Sequence, residues 1–129
     1  KFEKKERKSL NFGHTLGHAI ESSLLNTNKK LLHGEAIAIG MILATFLSYR
    51  LYNFSKKNLQ IITNHLKNLF GNTNFETKEI EKIIDLLKHD KKNSHGKVNF
   101  ILLKDIGDPV YDIEISKDLI LESFDFYLS

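Results

Sequence analysis

Four side chains that can bind an anion, bind a metal or move a proton recur at helical spacing near the start of the chain. They are Arg7, Asn11, His14 and His18, which are separated by four, three and four residues. Because an α-helix turns by about 100° per residue, this spacing places all four on one narrow face. The pattern therefore predicts a helix that presents one face to a single site.

A third histidine strengthens the case for a metal at this face. By spacing alone, a pair such as His14 and His18 is more often packed or on the surface than bound to metal, although it can chelate zinc. His33 stands where the next helix is predicted to begin, so its ring can turn back toward the first helix. Three convergent histidines would suit a catalytic zinc, which takes three protein ligands and keeps one position open. Glu21 and Glu35 are candidate carboxylate ligands, although an ordinary, partly exposed position is the more common explanation for each.

A basic turn further along the chain is a weaker candidate site. It contains Asp90, Lys91 and Lys92, followed by Gly96 and Lys97. Ammonium groups gathered in this way can bind phosphate or carboxylate. Lysines at a helix end are more often solvated, however, and they also suit the helix dipole. The sequence contains neither a Walker-type glycine loop nor a GxGxxG motif, so we expect no nucleotide site within this piece.

Apolar periodicity predicts the helices that position these residues. The first predicted helix ends at Leu25, and the second covers residues 34–52. Because the second helix is apolar on every side, we expect it to be central and fully enclosed. Two amphipathic helices and a last helix follow, with predicted N-caps at Ser55, Thr77 and Ser116. The predicted buried stripes are Leu59, Ile62, Leu66 and Leu69 in the third helix and Ile80, Ile83, Ile84 and Leu87 in the fourth.

The remaining pattern completes the predicted fold. Residues 98–103 and 110–115 are strand-like on either side of a Gly-Asp-Pro turn, which predicts a short β-hairpin near the C-terminus. Gly13 and Gly17 each cost a helix about 1 kcal/mol relative to alanine, which indicates that another backbone approaches closely there. We therefore expect one mostly α domain over residues 1–129.

Composition excludes several classes of protein. The 129 residues are 41% hydrophobic, enough for one domain with an apolar core. Nineteen basic residues against 16 acidic ones leave a net charge of only +3, without the one-sided basic patch expected of a nucleic-acid partner. The longest uncharged stretch, 36–49, is shorter than the roughly 20 apolar residues of a membrane span. Without cysteine, any metal must be held by His, Asp or Glu, and we expect a cytoplasmic protein.

Three blocks of the sequence resemble 3-dehydroquinate synthases. The first is Arg7 with residues 10–21, the second is 32–36 with 39–41, and the third joins the 90–97 turn to the strand at 100–103. The blocks follow one another in the family's order and extend over most of the chain. Because the chain begins with Lys rather than Met, we expect that further sequence precedes it.

The resemblance implies a domain organisation and roles for particular residues. An N-terminal NAD-binding domain, absent from this chain, would face the present C-terminal helical domain, with zinc or cobalt and the substrate in the cleft between them. His14 and His33 would be metal ligands, and the third ligand would be a glutamate upstream of this chain. His18 would contact the substrate and move protons. The further substrate-binding residues implied are Arg7, which faces the substrate carboxylate, Asn11, and one of Lys91 and Lys92.

The activity implied by the resemblance is that of a carbon–oxygen lyase of the shikimate pathway. It converts 3-deoxy-arabino-heptulosonate 7-phosphate into 3-dehydroquinate and phosphate, while NAD transiently oxidises one carbinol. We expect a homodimer for the full-length enzyme and no activity for this piece alone. One alternative is another sugar-phosphate cyclase or a metal-dependent polyol dehydrogenase of the same superfamily. A second is a non-catalytic helical module, which predicts that the histidines do not converge.

Overall fold

The computed structural model describes the backbone of residues 14–25, 27, 31–88, 98–105 and 108–129, and the side chains of 16–25, 27, 31–87 and 115–129. Within these ranges the chain forms five helices and one pair of strands, so the predicted mostly α fold is confirmed. In chain order the elements are α1 (His14–Leu24), α2 (His33–Tyr52), α3 (Lys56–Phe70), α4 (Thr77–Lys88), β1 (Val98–Asp105), β2 (Asp108–Ile115) and α5 (Lys117–Leu128).

Local capping chemistry sets the start of two helices. The Ser55 hydroxyl accepts a hydrogen bond from the backbone N–H of Asn58 at 3.1 Å, and the Ser116 hydroxyl accepts one from Leu119 at 3.3 Å. Each bond satisfies a helix N–H that has no partner within the helix. Helix α3 ends at Gly71, whose φ of 78° is readily adopted only by glycine. The predicted caps at Ser55 and Ser116 are therefore confirmed.

The predicted cap of α4 is wrong by one residue. Thr77 is the first residue of the helix, and the carbonyl oxygen of Glu76 before it accepts a hydrogen bond from the backbone N–H of Ile80 at 3.1 Å. The backbone N–H of Glu76 donates to the Glu79 carboxylate at 2.8 Å. A glutamate in the first turn of a helix can cap the N–H of the residue before that turn, and this bond moves the boundary away from the threonine.

Helix α2 forms the centre of the domain. It packs against α1, α3, α5 and β1. Of the most apolar 18 residues of this helix, 56% are buried. Its length and composition alone would also suit a membrane span, but burial on this scale is typical of a core helix. The prediction of full enclosure is wrong, because Ile37, Met41, Phe46 and Tyr49 are only half-buried by the elements that the structure describes.

The amphipathic stripes meet the core as helical geometry requires. In α4 all four predicted residues are buried, and α1 adds Leu16, Ile20 and Leu24. In α3 the prediction is right for Leu59, which is buried, but wrong for Leu69, which is 63% exposed. At about 100° per residue, Leu69 lies roughly 80° around the helix from Leu59 and so leaves the buried face.

Strands β1 and β2 pair antiparallel, with Val98 opposite Ile115 and Asn99 opposite Glu114. The register shifts between Phe100 and Leu102 and again after Leu103. Strand β1 contacts α2, and the side chain of Ile115 at the end of β2 is 4% exposed within the main core. The strand pair is therefore joined to the central helix rather than separate from it.

Candidate functional site

Helices α1 and α2 approach each other closely at Gly17. A Cβ atom placed on Gly17 would lie 2.7 Å from Cδ1 of Ile37, 3.0 Å from its Cα and 3.2 Å from the carbonyl oxygen of Ala36. Two of these three neighbours are backbone atoms, which cannot move aside as a flexible side chain can. The close approach predicted from Gly17 is therefore confirmed, while Gly13 lies outside the described residues.

This approach brings two histidine rings together. His18 follows Gly17 on α1, and His33 is the first residue of α2. Their ring centroids are 5.9 Å apart with an interplanar angle of 57°, and both residues are exposed. The ring of His33 thus turns back toward the first helix, as the sequence predicted.

A carboxylate completes the group. One oxygen of Glu21 lies 2.9 Å from Nδ1 of His33, and the two side chains are 27% and 57% exposed, respectively. Glu21 stands three residues after His18, a spacing at which two helical side chains are neighbours. We call His18, Glu21 and His33 the histidine–glutamate cluster. The sequence marked Glu21 as a candidate metal ligand, whereas the structure shows it hydrogen-bonded to a histidine.

The other candidate carboxylate, Glu35, has a different task. Its side chain accepts a hydrogen bond from the backbone N–H of Leu32 at 2.8 Å and so caps the start of α2. The leucine side chain has no acceptor atom, so only this half of a capping box can form. Glu35 therefore stabilises the helix that presents His33, and the structure does not place it in the cluster.

Several predicted site residues lie outside the described part of the chain. The backbone of His14 belongs to α1, one turn before His18, which places it on the same helix face. Its side chain is outside the described residues, as are Arg7, Asn11, Lys91 and Lys92 altogether. Among the side chains that the structure does describe, no group of three or more His, Cys, Asp or Glu is arranged to hold a metal.

The fold and the cluster define a mostly helical domain in which two successive helices present imidazoles at one exposed edge. Residues 1–93 match the family described as 3-dehydroquinate synthase C-terminal. The chain belongs to this family, as its three sequence blocks had indicated.

Similar full-length sequences carry the name 3-dehydroquinate synthase. The protein of Parabacteroides distasonis is 40% identical over 94% of this chain and 34% of its own length. The protein of Dictyoglomus turgidum is 43% identical over 92% of this chain and 34% of its own length, and that of Clostridium tetani is 36% identical over 92% and 31%. The chain thus spans about a third of the length of these relatives.

Solved structures of a second enzyme share the fold. A crystal structure of 2-deoxy-scyllo-inosose synthase with carbaglucose-6-phosphate, NAD⁺ and Co²⁺ has a TM-score of 0.68 at 29% identity, over 87% of this chain and 33% of that one. Another structure of 2-deoxy-scyllo-inosose synthase has a TM-score of 0.67 at 26% identity, over 91% and 31%. Together the comparisons indicate a domain of the 3-dehydroquinate synthase or sugar-phosphate cyclase kind.

Proposed function

We propose that this chain is the metal- and substrate-binding domain of a 3-dehydroquinate synthase, which converts 3-deoxy-arabino-heptulosonate 7-phosphate into 3-dehydroquinate and phosphate. The observation that supports this most directly is the meeting of the His18 and His33 rings at the exposed edge between α1 and α2. Relatives of that name at about 40% identity support the same activity. The proposal includes a preceding NAD-binding domain, a homodimer and a cytoplasmic location.

The residues present suit a divalent metal, zinc or cobalt. His14 and His33 would hold it together with a glutamate from the preceding domain, the two-histidine, one-glutamate set found in some catalytic zinc sites. The contact between Glu21 and Nδ1 of His33 supports this assignment, because metal-binding histidines commonly donate their second ring nitrogen to a carboxylate. When bound, the metal would polarise the carbinol oxygen of the substrate, and NAD would transiently oxidise the carbinol.

The chain's own side chains would bind the substrate and move its protons. The His18 imidazole is exposed beside the proposed metal ligand, and an imidazole can accept and return a proton near neutral pH. Arg7 can bind the substrate carboxylate through two parallel hydrogen bonds. Asn11 and either Lys91 or Lys92 would complete the binding of this substrate, which carries a carboxylate and a phosphate, so that fixed positive charge offsets its negative charge.

A sugar-phosphate cyclase with another substrate is the second candidate. The likeness to 2-deoxy-scyllo-inosose synthase at 29% identity favours it specifically. The role proposed for Arg7 separates the two, because only a substrate with a carboxylate needs that partner. A polyol dehydrogenase would need neither the arginine nor a phosphate-binding lysine. A non-catalytic module predicts that His14 and His33 lie far apart, and the meeting of the His18 and His33 rings supports the catalytic alternative instead.

Turnover by the full-length protein that contains this chain tests the proposal. With Co²⁺ and NAD⁺ present, we expect phosphate release from 3-deoxy-arabino-heptulosonate 7-phosphate, none from a hexose 6-phosphate, and no oxidation of glycerol. His14→Ala should abolish metal-dependent turnover, because one of two in-chain ligands is lost. Unchanged activity of this variant at equal metal occupancy would defeat the assignment of His14, and preference for the hexose phosphate would favour the cyclase.

A further inference from the structure

The hydrogen bond between Glu21 and His33 joins the first two helices at the proposed metal site. It spans 2.9 Å between Oε1 of Glu21 on α1 and Nδ1 of His33 on α2, residues that are 12 positions apart in the sequence. Both side chains are partly exposed, and exposed ion pairs typically contribute only about 0–1 kcal/mol to stability. Support of the fold is therefore a weak explanation for this contact.

The chemistry of the two groups decides which ring nitrogen carries the proton. An ionised carboxylate can only accept a hydrogen bond, so Nδ1 of His33 must be the donor. In a neutral imidazole, a proton on Nδ1 leaves the lone pair on Nε2. Glu21 therefore selects the tautomer in which Nε2 is the nitrogen able to bind a metal.

The packing of the helices places Glu21, rather than Glu35, beside Nδ1 of His33. The contact at Gly17 holds α1 against α2, and Glu21 lies one helical turn further along α1. Glu35 is only two residues from His33 in the sequence, but it is engaged with the Leu32 N–H at 2.8 Å. Of the two carboxylates that the sequence offered, only Glu21 is hydrogen-bonded to the His33 ring.

We propose that Glu21 is a positioning residue, which orients His33 and fixes its tautomer so that Nε2 faces a divalent cation. This inference rests on the proposed role of His33 as a metal ligand. It also assigns Glu21 a place outside the set of ligands, where it acts on the metal only through the histidine. Changes to such outer partners typically lower metal affinity by 10–100-fold.

The test uses Co²⁺ alone as the probe and the full-length protein that contains this chain. The affinity of the protein for Co²⁺ is measured by competition with a chelator, for the wild type and for Glu21→Ala, Glu21→Gln and His33→Ala. We expect Glu21→Ala to bind Co²⁺ about 10–100-fold more weakly. Glu21→Gln should lie between this variant and the wild type, because an amide oxygen can still accept from Nδ1. His33→Ala should bind most weakly of all.

Glu122→Ala is the matched control. Glu122 is also a partly exposed carboxylate that pairs with a basic side chain, Arg50 of α2. Arg50 lies 17 residues after His33 on that helix, about 25 Å along its axis. The control removes the same charge far from the proposed site, so we expect its Co²⁺ affinity to equal that of the wild type within two-fold.

A second measurement separates positioning from a general structural effect. The ¹⁵N chemical shifts of the His33 ring in metal-free protein report its tautomer, and the population protonated on Nε2 should rise in Glu21→Ala but not in Glu122→Ala. If Glu21→Ala keeps wild-type affinity and tautomer while His33→Ala loses affinity, the role of Glu21 is overturned and the proposed function stands. If His33→Ala itself binds Co²⁺ like the wild type, the proposed function fails with it.

Discussion

Polar side chains join helices at several places in the described structure, and two of these places differ in what the side chains face. In the histidine–glutamate cluster between α1 and α2, the ring of His33 is held by Glu21 but remains exposed. Between α3 and α5, Lys67 donates to the carbonyl oxygen of Tyr127 at 2.8 Å, and its Nζ lies 4.8 Å from the centre of the Tyr127 ring.

The second contact is explained by the end of a helix. The last carbonyls of an α-helix have no partner within it, and Lys67 supplies a donor to one of those in α5. The hydroxyl of the buried residue Tyr127 accepts a hydrogen bond from the backbone N–H of Thr73 at 2.9 Å. An open pocket of about 390 Å³ beside these residues has both Lys67 and Tyr127 in its lining. Polar side chains between helices thus have two different uses here. Lys67 supplies a hydrogen-bond donor to a carbonyl at a helix end, whereas Glu21 holds a histidine ring that remains exposed.

The largest effect that should separate the two regions is on turnover. In the full-length protein, His33→Ala should lower kcat/KM for 3-deoxy-arabino-heptulosonate 7-phosphate by more than about 100-fold, the upper end for an outer partner of a ligand. Lys67→Met should leave it within about two-fold, and lower the free energy of unfolding by about 1 kcal/mol through the lost hydrogen bond. Steady-state kinetics and urea unfolding measure both quantities. Equal losses of turnover in the two variants would erase the distinction between the regions.

A change in the packing beneath the cluster should have the next largest effect. Gly17→Ala places a methyl group against the backbone of α2, and such overpacking typically costs about 1–3 kcal/mol, against a gain of about 1 kcal/mol in helix propensity. We therefore expect a net destabilisation in urea unfolding. Gly34→Ala is the control, because among the described residues the nearest atom to its Cβ would be Cε1 of the Phe70 side chain, at 3.4 Å. Equal free energies of unfolding for the two variants would contradict a close packing contact between α1 and α2 at Gly17.

The smallest effect concerns the pH dependence of the α3–α5 contact. Burial raises the pKa of Tyr127 above its ordinary 10.0, and the hydrogen bond from Thr73 only partly offsets this. At high pH the unfolded chain therefore loses this proton before the folded protein does, so the stability contributed below pH 10 declines as pH rises further. In urea titrations between pH 8 and 11, Tyr127→Phe should lose less stability than the wild type. Parallel pH profiles would show that this hydroxyl titrates alike in both states.

Much of the fold was predictable because it depends on local patterns. The stripe of Ile80, Ile83, Ile84 and Leu87 is buried as its spacing required, and Ser55 and Ser116 cap the helices that follow them. Two of the errors are also local in origin. Helix α4 begins one residue earlier than predicted, where the Glu79 side chain accepts from the N–H of Glu76. Leu69 is exposed because its spacing from Leu59 places it outside the buried face of α3.

Contacts between distant residues were not predictable in this way. The sequence singled out neither Lys67 nor Tyr127, which are 60 residues apart, because no spacing within one element relates them. It offered Glu21 and Glu35 equally as carboxylates near His33. The roles predicted for His14, Arg7, Asn11 and the lysines of the 90–97 turn remain predictions.

The amino-acid sequence by itself determined which residues share a helix face, including the face that holds His18 and Glu21, because a helix repeats every 3.6 residues whatever surrounds it. It also marked Gly17 as a position of close approach. Only the tertiary structure decided that Glu21 rather than Glu35 meets the His33 ring. That choice depends on how α1 lies against α2, and this arrangement is set by packing across the whole core.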